Sequence, residues 1–354
     1  LKNPYQTLPE RAFWRPAVAD LEPTSISDVY RPKFPIDKTM RVVTQGSCFS
    51  QHIGRQFVAR GYDWFEAELP FPHFPAQLNR PYNYGVFSFR TGNIYTPRLL
   101  LQWLRWGSGR AAAPDTVWSR RDGATVDPFR PAVEPEGYQS AKEMLDARAH
   151  MIERMRESLP EIDLFIFTFG LTEAWEDRET GVVYPMCPGT AGGQFDPDRH
   201  VFRNYSVREC LADMEEAIAI LRELNPAMKI LFTVSPVPLT ATATGDHVLS
   251  ANSRSKCLLR TVAATLSEEH DFVDYFPSFE FIFQPPFKAM FYDDNMRTVK
   301  KEGVAFVMSH FFKAHGDDSV ADEDDAPRKR EQRASDAEDD LVCEEVMLEA
   351  AANR

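Results

Sequence analysis

The chain has 354 residues, 43 % of them apolar and 12 % aromatic, enough for one sizeable packed core. Its formal net charge is −13, and residues 316–354 hold 14 acidic against 5 basic side chains, so the nearly balanced body lacks the clustered basic surface that nucleic acid demands. No run approaches the length of a membrane span, and cysteines at 48, 187, 210, 257 and 343 fit neither a disulfide framework nor a paired metal site, which points to a reducing cytoplasm.

Residues 1–39, which open LKNPYQTLPERAFWRP, lack an apolar signal core and read as an irregular lead-in. MRVVTQ (40–45) predicts a short buried strand. FSQHIGRQFVARGY (49–62) predicts the helix after it, with Ile53, Phe57 and Val58 toward the sheet. Residues 62–95 carry many aromatics and no period, as a long loop does. TPRLLLQWLRW (96–106) restores a helix capped by Thr96, with Pro97 in its first position. A second irregular excursion covers 107–139. SAKEMLDARAHMIERMRESL (140–159) is an amphipathic helix, and DLFIFTFG (163–170) is a continuous apolar strand of the kind buried on both faces. The helix over 206–226 opens on a Ser206/Glu209 capping-box pattern. MKILFTVSPVPL (228–239) is a strand stopped by prolines. A helix over 253–270, a strand over 271–276 and a helix over 298–315 complete the body. Residues 316–354 turn charge-rich and read as an acidic, flexible tail, with helical spacing over 339–351 and a role for a protein partner.

Strands alternating with helices of this length predict a three-layer αβα sandwich with a central, mostly parallel sheet, one domain over 40–315. Sites in such folds gather beyond the carboxyl ends of the strands. Gln45-Gly46-Ser47-Cys48, Gly170-Leu171-Thr172-Glu173 and Ser235-Pro236-Val237 all fall there. A thiol at the first turn of a helix meets amides with no intrahelical partner, which favour the thiolate and the oxyanion its attack creates. The bland alternative is a buried cysteine beside a capping serine. The catalytic reading needs the sulfur open to an incoming carbonyl at the sheet's rim.

GSCFS (46–50) closely resembles the signature of the GSCFA-domain family, which is similar to a divergent branch of the SGNH or GDSL-type hydrolases, a flavodoxin-like fold. YNYGVFSFRTGNIYT (82–96), FTFGLTEAW (167–175), VYPMCPGT (183–190), LFTVSPVPL (231–239), DYFPSFE (274–280) and FYDDNMRTVKKEGVAFVMSHFF (291–312) extend the likeness across the body. The resemblance implies Cys48 as nucleophile, Gly85 as an oxyanion glycine, and Thr172 where an oxyanion asparagine belongs. It also marks a departure. Asp294-Asn295-Met296-Arg297 sets arginine where the Asp-x-x-His base stands, and Cys187-Pro188 replaces a Cys-His. Arginine cannot take a proton from a thiol or hydroxyl, but it can grip a carboxylate or phosphate of the substrate.

The chemistry therefore reads as an esterase or O-acyltransferase acting through a covalent acyl-enzyme on a small-molecule or glycan ester, including acylated polysaccharide. Cys48 attacks, with Ser47 as the alternative nucleophile, and His247 in the loop after the third strand moves the proton. Glu173 or Asp294 orients the base, and His73 is the rival base. His52 lies one turn along the helix from Cys48. Arg297, Tyr84 and Trp175 are substrate-binding candidates, aromatic walls suiting carbohydrate and acyl groups alike. Asn83, Asn93 and Lys256 read as polar loop organisers. No metal or cofactor motif appears. A non-catalytic glycan-binding or assembly protein that keeps the fold is the competing reading.

Overall fold

The computed structural model describes residues 3–319. The expected tail helix at 339–351, and the partner proposed for it, lie outside the described residues. The first strand, β1 (Arg41–Gly46), leads into α1 (Phe49–Ala59) and the short β2 (Asp63–Trp64). Then come α2 (Pro97–Gly107), a hairpin of β3 (Trp118–Ser119) and β4 (Thr125–Val126), α3 (Ala141–Ser158) and β5 (Leu164–Phe169). Three further strands follow, β6 (Glu173–Asp177), β7 (Val183–Tyr184) and β8 (His200–Asn204). The chain closes with α4 (Val207–Leu224), β9 (Lys229–Val234), α5 (Val248–Glu269), β10 (Val273–Tyr275), α6 (Ser278–Phe283) and α7 (Lys301–Ala314).

The central sheet is wholly parallel in the order β10-β9-β5-β1-β2. Counted in chain order from the β2 edge this is 2-1-3-4-5, a common doubly wound arrangement whose switch point falls between β1 and β5. Side chains alternate between two cores. Val43, Phe165, Phe167, Phe169, Ile230 and Phe232 join the cluster beneath α2 to α5. Val42, Leu164, Ile166 and Leu231 join the one beneath α1, α6 and α7. The architecture is thus an α/β sandwich with a parallel sheet between helical layers.

Local chemistry sets the helix bounds. Thr96 and Ser140 accept the amides of Leu99 and Glu143, and Ser206 and Glu209 complete a reciprocal capping box. Val58 does not face the sheet as its spacing was read. It is 38 % exposed, because five residues turn an α-helix about 140° away from the Ile53 direction. The strands β2 to β4 and β6 to β8, and the six-residue α6, have no counterpart in the sequence reading; β7-β6-β8 form a separate antiparallel sheet.

Two polar devices close the body. Asp127, fully buried, accepts from Arg130 Nε at 2.8 Å and from Arg148 Nη2 at 2.9 Å, joining the second excursion to α3, while Arg130 Nη1 donates to Arg90 O of the first at 3.3 Å. The lead-in is strapped across the α1–α7 face: Ile26, Tyr30, Phe34 and Ile36 are buried there. Tyr30 Oη and the Lys33 amide both donate to Asp274 Oδ2 at 2.9 Å, and His315 Nε2 lies 3.4 Å from Tyr30 Oη.

Replacing Asp127 by Ala leaves two buried guanidinium groups without their shared carboxylate. It is expected to lower unfolding free energy by about 3–5 kcal/mol in chemical denaturation. Burial pushes the His315 imidazole down to about 4, whereas the unfolded ring takes its proton near pH 6.5. The unfolded chain therefore binds the extra proton in that interval. The stability this group contributes is complete above about pH 6.5 and is lost as pH falls toward 4. Urea denaturation at pH 7, 5.5 and 4.5 should show a shallower decline in His315→Gln than in the wild type.

Candidate functional site

The turn between β1 and α1 is built around a glycine. Gly46 has φ +129°, and a Cβ there would lie 2.3 Å from the Thr168 carbonyl oxygen of β5. Only glycine permits that approach. The Ser47 amide then donates to Thr168 O at 3.0 Å, and Cys48 takes the N-cap place of α1 with helical backbone and no side-chain cap bond. The amides of Ser50 and Gln51 fold back onto Ser47 O and Cys48 O. The Phe49 amide, in the first turn, has no intrahelical acceptor.

The expectation of an open nucleophile is corrected here. Ser47 is 2 % and Cys48 3 % exposed, and the sulfur belongs to the apolar cluster under α1. The segments at 94–95 and 170–171 pack against the turn and close it. Ser47 Oγ and Thr168 Oγ1 are nevertheless polar atoms buried without a hydrogen-bond partner. An unmade bond of that kind costs about 1–3 kcal/mol.

Segments distant in sequence converge on this turn. The Ile94 amide donates to Gly46 O at 2.8 Å, and Tyr95 O accepts from both Gly170 and Leu171 amides at 3.0 Å. A Cβ on Gly170 would sit 2.9 Å from Tyr95 O and 3.1 Å from Ser47 Cβ. From α5, the buried Lys256 donates through Nζ to Gly170 O at 2.7 Å, and Ser255 Oγ accepts the Thr172 amide at 3.0 Å. Gln51 Nε2 donates to Asn93 Oδ1 at 3.2 Å. After β9, Arg297 Nε donates to Pro238 O at 3.2 Å, which places its guanidinium at the carboxyl edge of the sheet.

Other candidates are placed differently. Gly85 is exposed, and a Cβ there would meet Glu66 Oε1 at 3.8 Å. The segment running beside the end of β1 is 88–95 instead. The Thr172 hydroxyl donates to Asn204 Oδ1 at 2.8 Å, so its proton is committed away from an oxyanion. Glu173 accepts from Thr242 Oγ1 at 2.8 Å; burial raises its carboxyl above the ordinary range, opposed by that hydroxyl and by the Ala243 amide. Asp294 is exposed in a turn. Tyr84 lies under Arg90, whose Cζ is 4.2 Å from the ring centre. Trp175 packs between Phe195 and Phe202.

The histidines leave the base position unfilled by the residues chosen for it. His247 is not in a loop but caps α5, its Nδ1 accepting the Leu249 amide at 3.2 Å, and it is exposed. Nine residues along that helix, about 13 Å, separate it from Lys256. His73 is exposed with φ +69°. His52 meets Phe49 edge-on, ring centres 5.6 Å apart. Sequence reasoning passed over Tyr95 and Asn204. Tyr95 acts through its backbone, which no side-chain motif reports.

The GSCFA family model matches residues 41–311, which takes in the whole β1–α1 turn and every converging segment. No curated protein matches the chain.

Gly170→Ala would press a methyl against Tyr95 O and Ser47 Cβ. The expected result is a loss of about 1–3 kcal/mol in denaturant unfolding. Gly61→Ala, where no atom lies within 4 Å of an added Cβ but φ is +72°, measures the cost of backbone strain alone and should be the smaller loss.

Proposed function

Since the chain belongs to the GSCFA family, whose model spans residues 41–311, we propose that its α/β body is an SGNH-like acyl-transfer enzyme. It is an esterase or O-acyltransferase acting through a covalent acyl-enzyme on a small-molecule or glycan ester. The observation that carries this reading is the pair of partnerless buried hydroxyls, Ser47 Oγ and Thr168 Oγ1, at the strand ends flanking the switch point. Doubly wound folds bind ligands there, and a fold that needed only packing would lose nothing by filling the place with carbon.

Cys48 Sγ attacks the ester carbonyl carbon. In this reading the Phe49 amide and the Ser47 hydroxyl donate to the developing oxyanion. The carbon–oxygen bond of the ester breaks, the thiol proton leaves with the alcohol, and the acyl group remains as a thioester. Water, or a sugar hydroxyl, then attacks that thioester and restores the thiol. Arg297 at the rim grips an anionic part of the substrate. Burial of both Cys48 and Ser47 is the outcome the sequence reading set against catalysis, so the acyl-enzyme requires a rearrangement that uncovers the turn.

A non-catalytic glycan-binding protein is the second reading, favoured by that closure and by the commitment of His247 to a helix cap. One experiment separates the two. The folded chain is incubated with p-nitrophenyl acetate and the peptide containing residues 41–60 is examined by mass spectrometry. Acetylation is expected on Cys48, lost in Cys48→Ala and slowed about tenfold in Ser47→Ala, roughly the worth of one hydrogen bond to developing charge. An unmodified peptide from demonstrably folded protein would overturn the acyl-enzyme.

A further inference from the structure

A cavity of about 370 Å³ opens between the β3–β4 hairpin and the start of β8, walled by Trp118, Tyr184, Gln194, Arg199 and His200 among others. Clefts of that size hold small molecules. Tyr184 is the hub of this one. Its ring centre lies 5.2 Å from that of Trp118 and 5.9 Å from that of His200. Its hydroxyl donates at 3.4 Å to Asp177 Oδ2, the same oxygen that takes Arg199 Nε. The indole, the imidazole and the guanidinium therefore stand around one side chain.

Each of the three carries N–H groups that the protein does not use. The Asp196 amide donates to His200 Nδ1 at 3.0 Å, which fixes the ring proton on Nε2. Burial, and then the Arg199 charge, hold the imidazole below its ordinary range against the pull of Asp177 and Asp196, so the ring is neutral at pH 7. His200 is 8 % exposed, yet its Nε2 is not sealed off and has no acceptor among the described residues. The same holds for Nε1 of Trp118, a residue 5 % exposed. Arg199 spends Nε on Asp177 and leaves both Nη groups open. Gly193 sets the indole: its amide donates to Ser119 O at 3.0 Å, and a Cβ there would lie 2.9 Å from Trp118 Cγ and Cδ1. The nearby carboxylates are engaged by their own loops. Asp177 also accepts the Glu179 and Thr180 amides, and Asp196 accepts the Asp198 amide.

We propose that this cavity binds the carboxylate of a small organic acid, with Arg199 Nη, His200 Nε2 and Trp118 Nε1 donating to its oxygens. None of the three can accept a hydrogen bond, so a carboxylate, which only accepts, matches them where a hydroxyl wastes its own proton. The guanidinium adds two-point contact. Gln194, exposed in the same wall, both donates and accepts and is left for hydroxyls on the rest of the molecule, as a sugar acid carries. Asp177 lies four residues along β6 from Glu173, roughly 13 Å, so binding here needs no acyl-enzyme at the β1–α1 turn.

Calorimetric titration of the intact chain with sodium glucuronate, at ionic strength matched by sodium chloride, reads the site without turnover. Saturable binding is expected, about tenfold or more tighter than that of glucose, with a change in tryptophan fluorescence. His200→Asn keeps an acceptor for the Asp196 amide and loses Nε2–H; Trp118→Phe keeps a ring and loses Nε1–H. Each should weaken glucuronate about tenfold, roughly the worth of one hydrogen bond to a charged group, and Trp118→Phe should also remove the fluorescence change. Arg297→Ala should bind glucuronate as the wild type does, which separates this cavity from the sheet edge. A variant counts when its circular dichroism matches the wild type, and the glucose comparison stands on the wild type alone. No saturable binding, glucose bound as tightly, or affinity unchanged in either folded variant overturns the proposal, as does loss of binding in Arg297→Ala.

Discussion

The candidate site depends on how closely two backbones run at the ends of β1 and β5. The space between Gly46 and Thr168 O admits no side chain, and that contact lets the Ser47 amide continue the ladder one bond past the strand. The segments at 94–95 and 170–172 are then tied to the same edge through backbone groups. Lys256 and Ser255 fasten α5 over it. A methyl at position 46 would wedge the strands apart and loosen all of these at once, which is a stronger constraint than any single side chain at the turn imposes.

Much of the sandwich was legible in the sequence for simple reasons. The run Leu164–Phe169 is apolar at every position because alternate residues enter opposite cores. Helix starts were marked by Thr96, Ser140 and Ser206, whose side chains accept backbone amides. The antiparallel sheet was hidden for the opposite reason. Strand β6 carries three acids and β8 one arginine, and most of these charges find ion-pair partners, Asp177 with Arg199 and Arg203 with Glu176 and Glu209. Neither alternation nor an apolar run survives in EAWED or HVFRN. The hairpin and β2 are two-residue strands, too short to carry any period.

The candidate site was half legible. A nucleophile pair after a short strand and before a helix is visible in sequence, as are the glycine and threonine after β5. Depth is not. Exposure of Ser47 and Cys48 is decided by neighbours scores of residues away, and they close the turn. His247 was misplaced because α5 begins several residues earlier than its apolar stripe, within a polar first turn where the imidazole serves as the cap. Thr172 was assigned a free hydroxyl that Asn204 takes up. The donors around Tyr184 gave no signal, since an N–H without an acceptor can be recognised only when every neighbouring oxygen is known.

The strap formed by the lead-in bears on the order of assembly. Tyr30 and Lys33 close on Asp274, 244 and 241 residues later. Their grip on β10 cannot exist until nearly the whole body has been made. Contacts of such separation bear a loop-closure cost that only a preformed sheet offsets. During synthesis the early segment must therefore wait, its Ile26, Tyr30, Phe34 and Ile36 unburied, while later strands emerge. The α1–α7 side of the molecule is the last to be sealed, and an emerging chain halted before Asp274 would display that greasy stretch to whatever chaperone stands nearby.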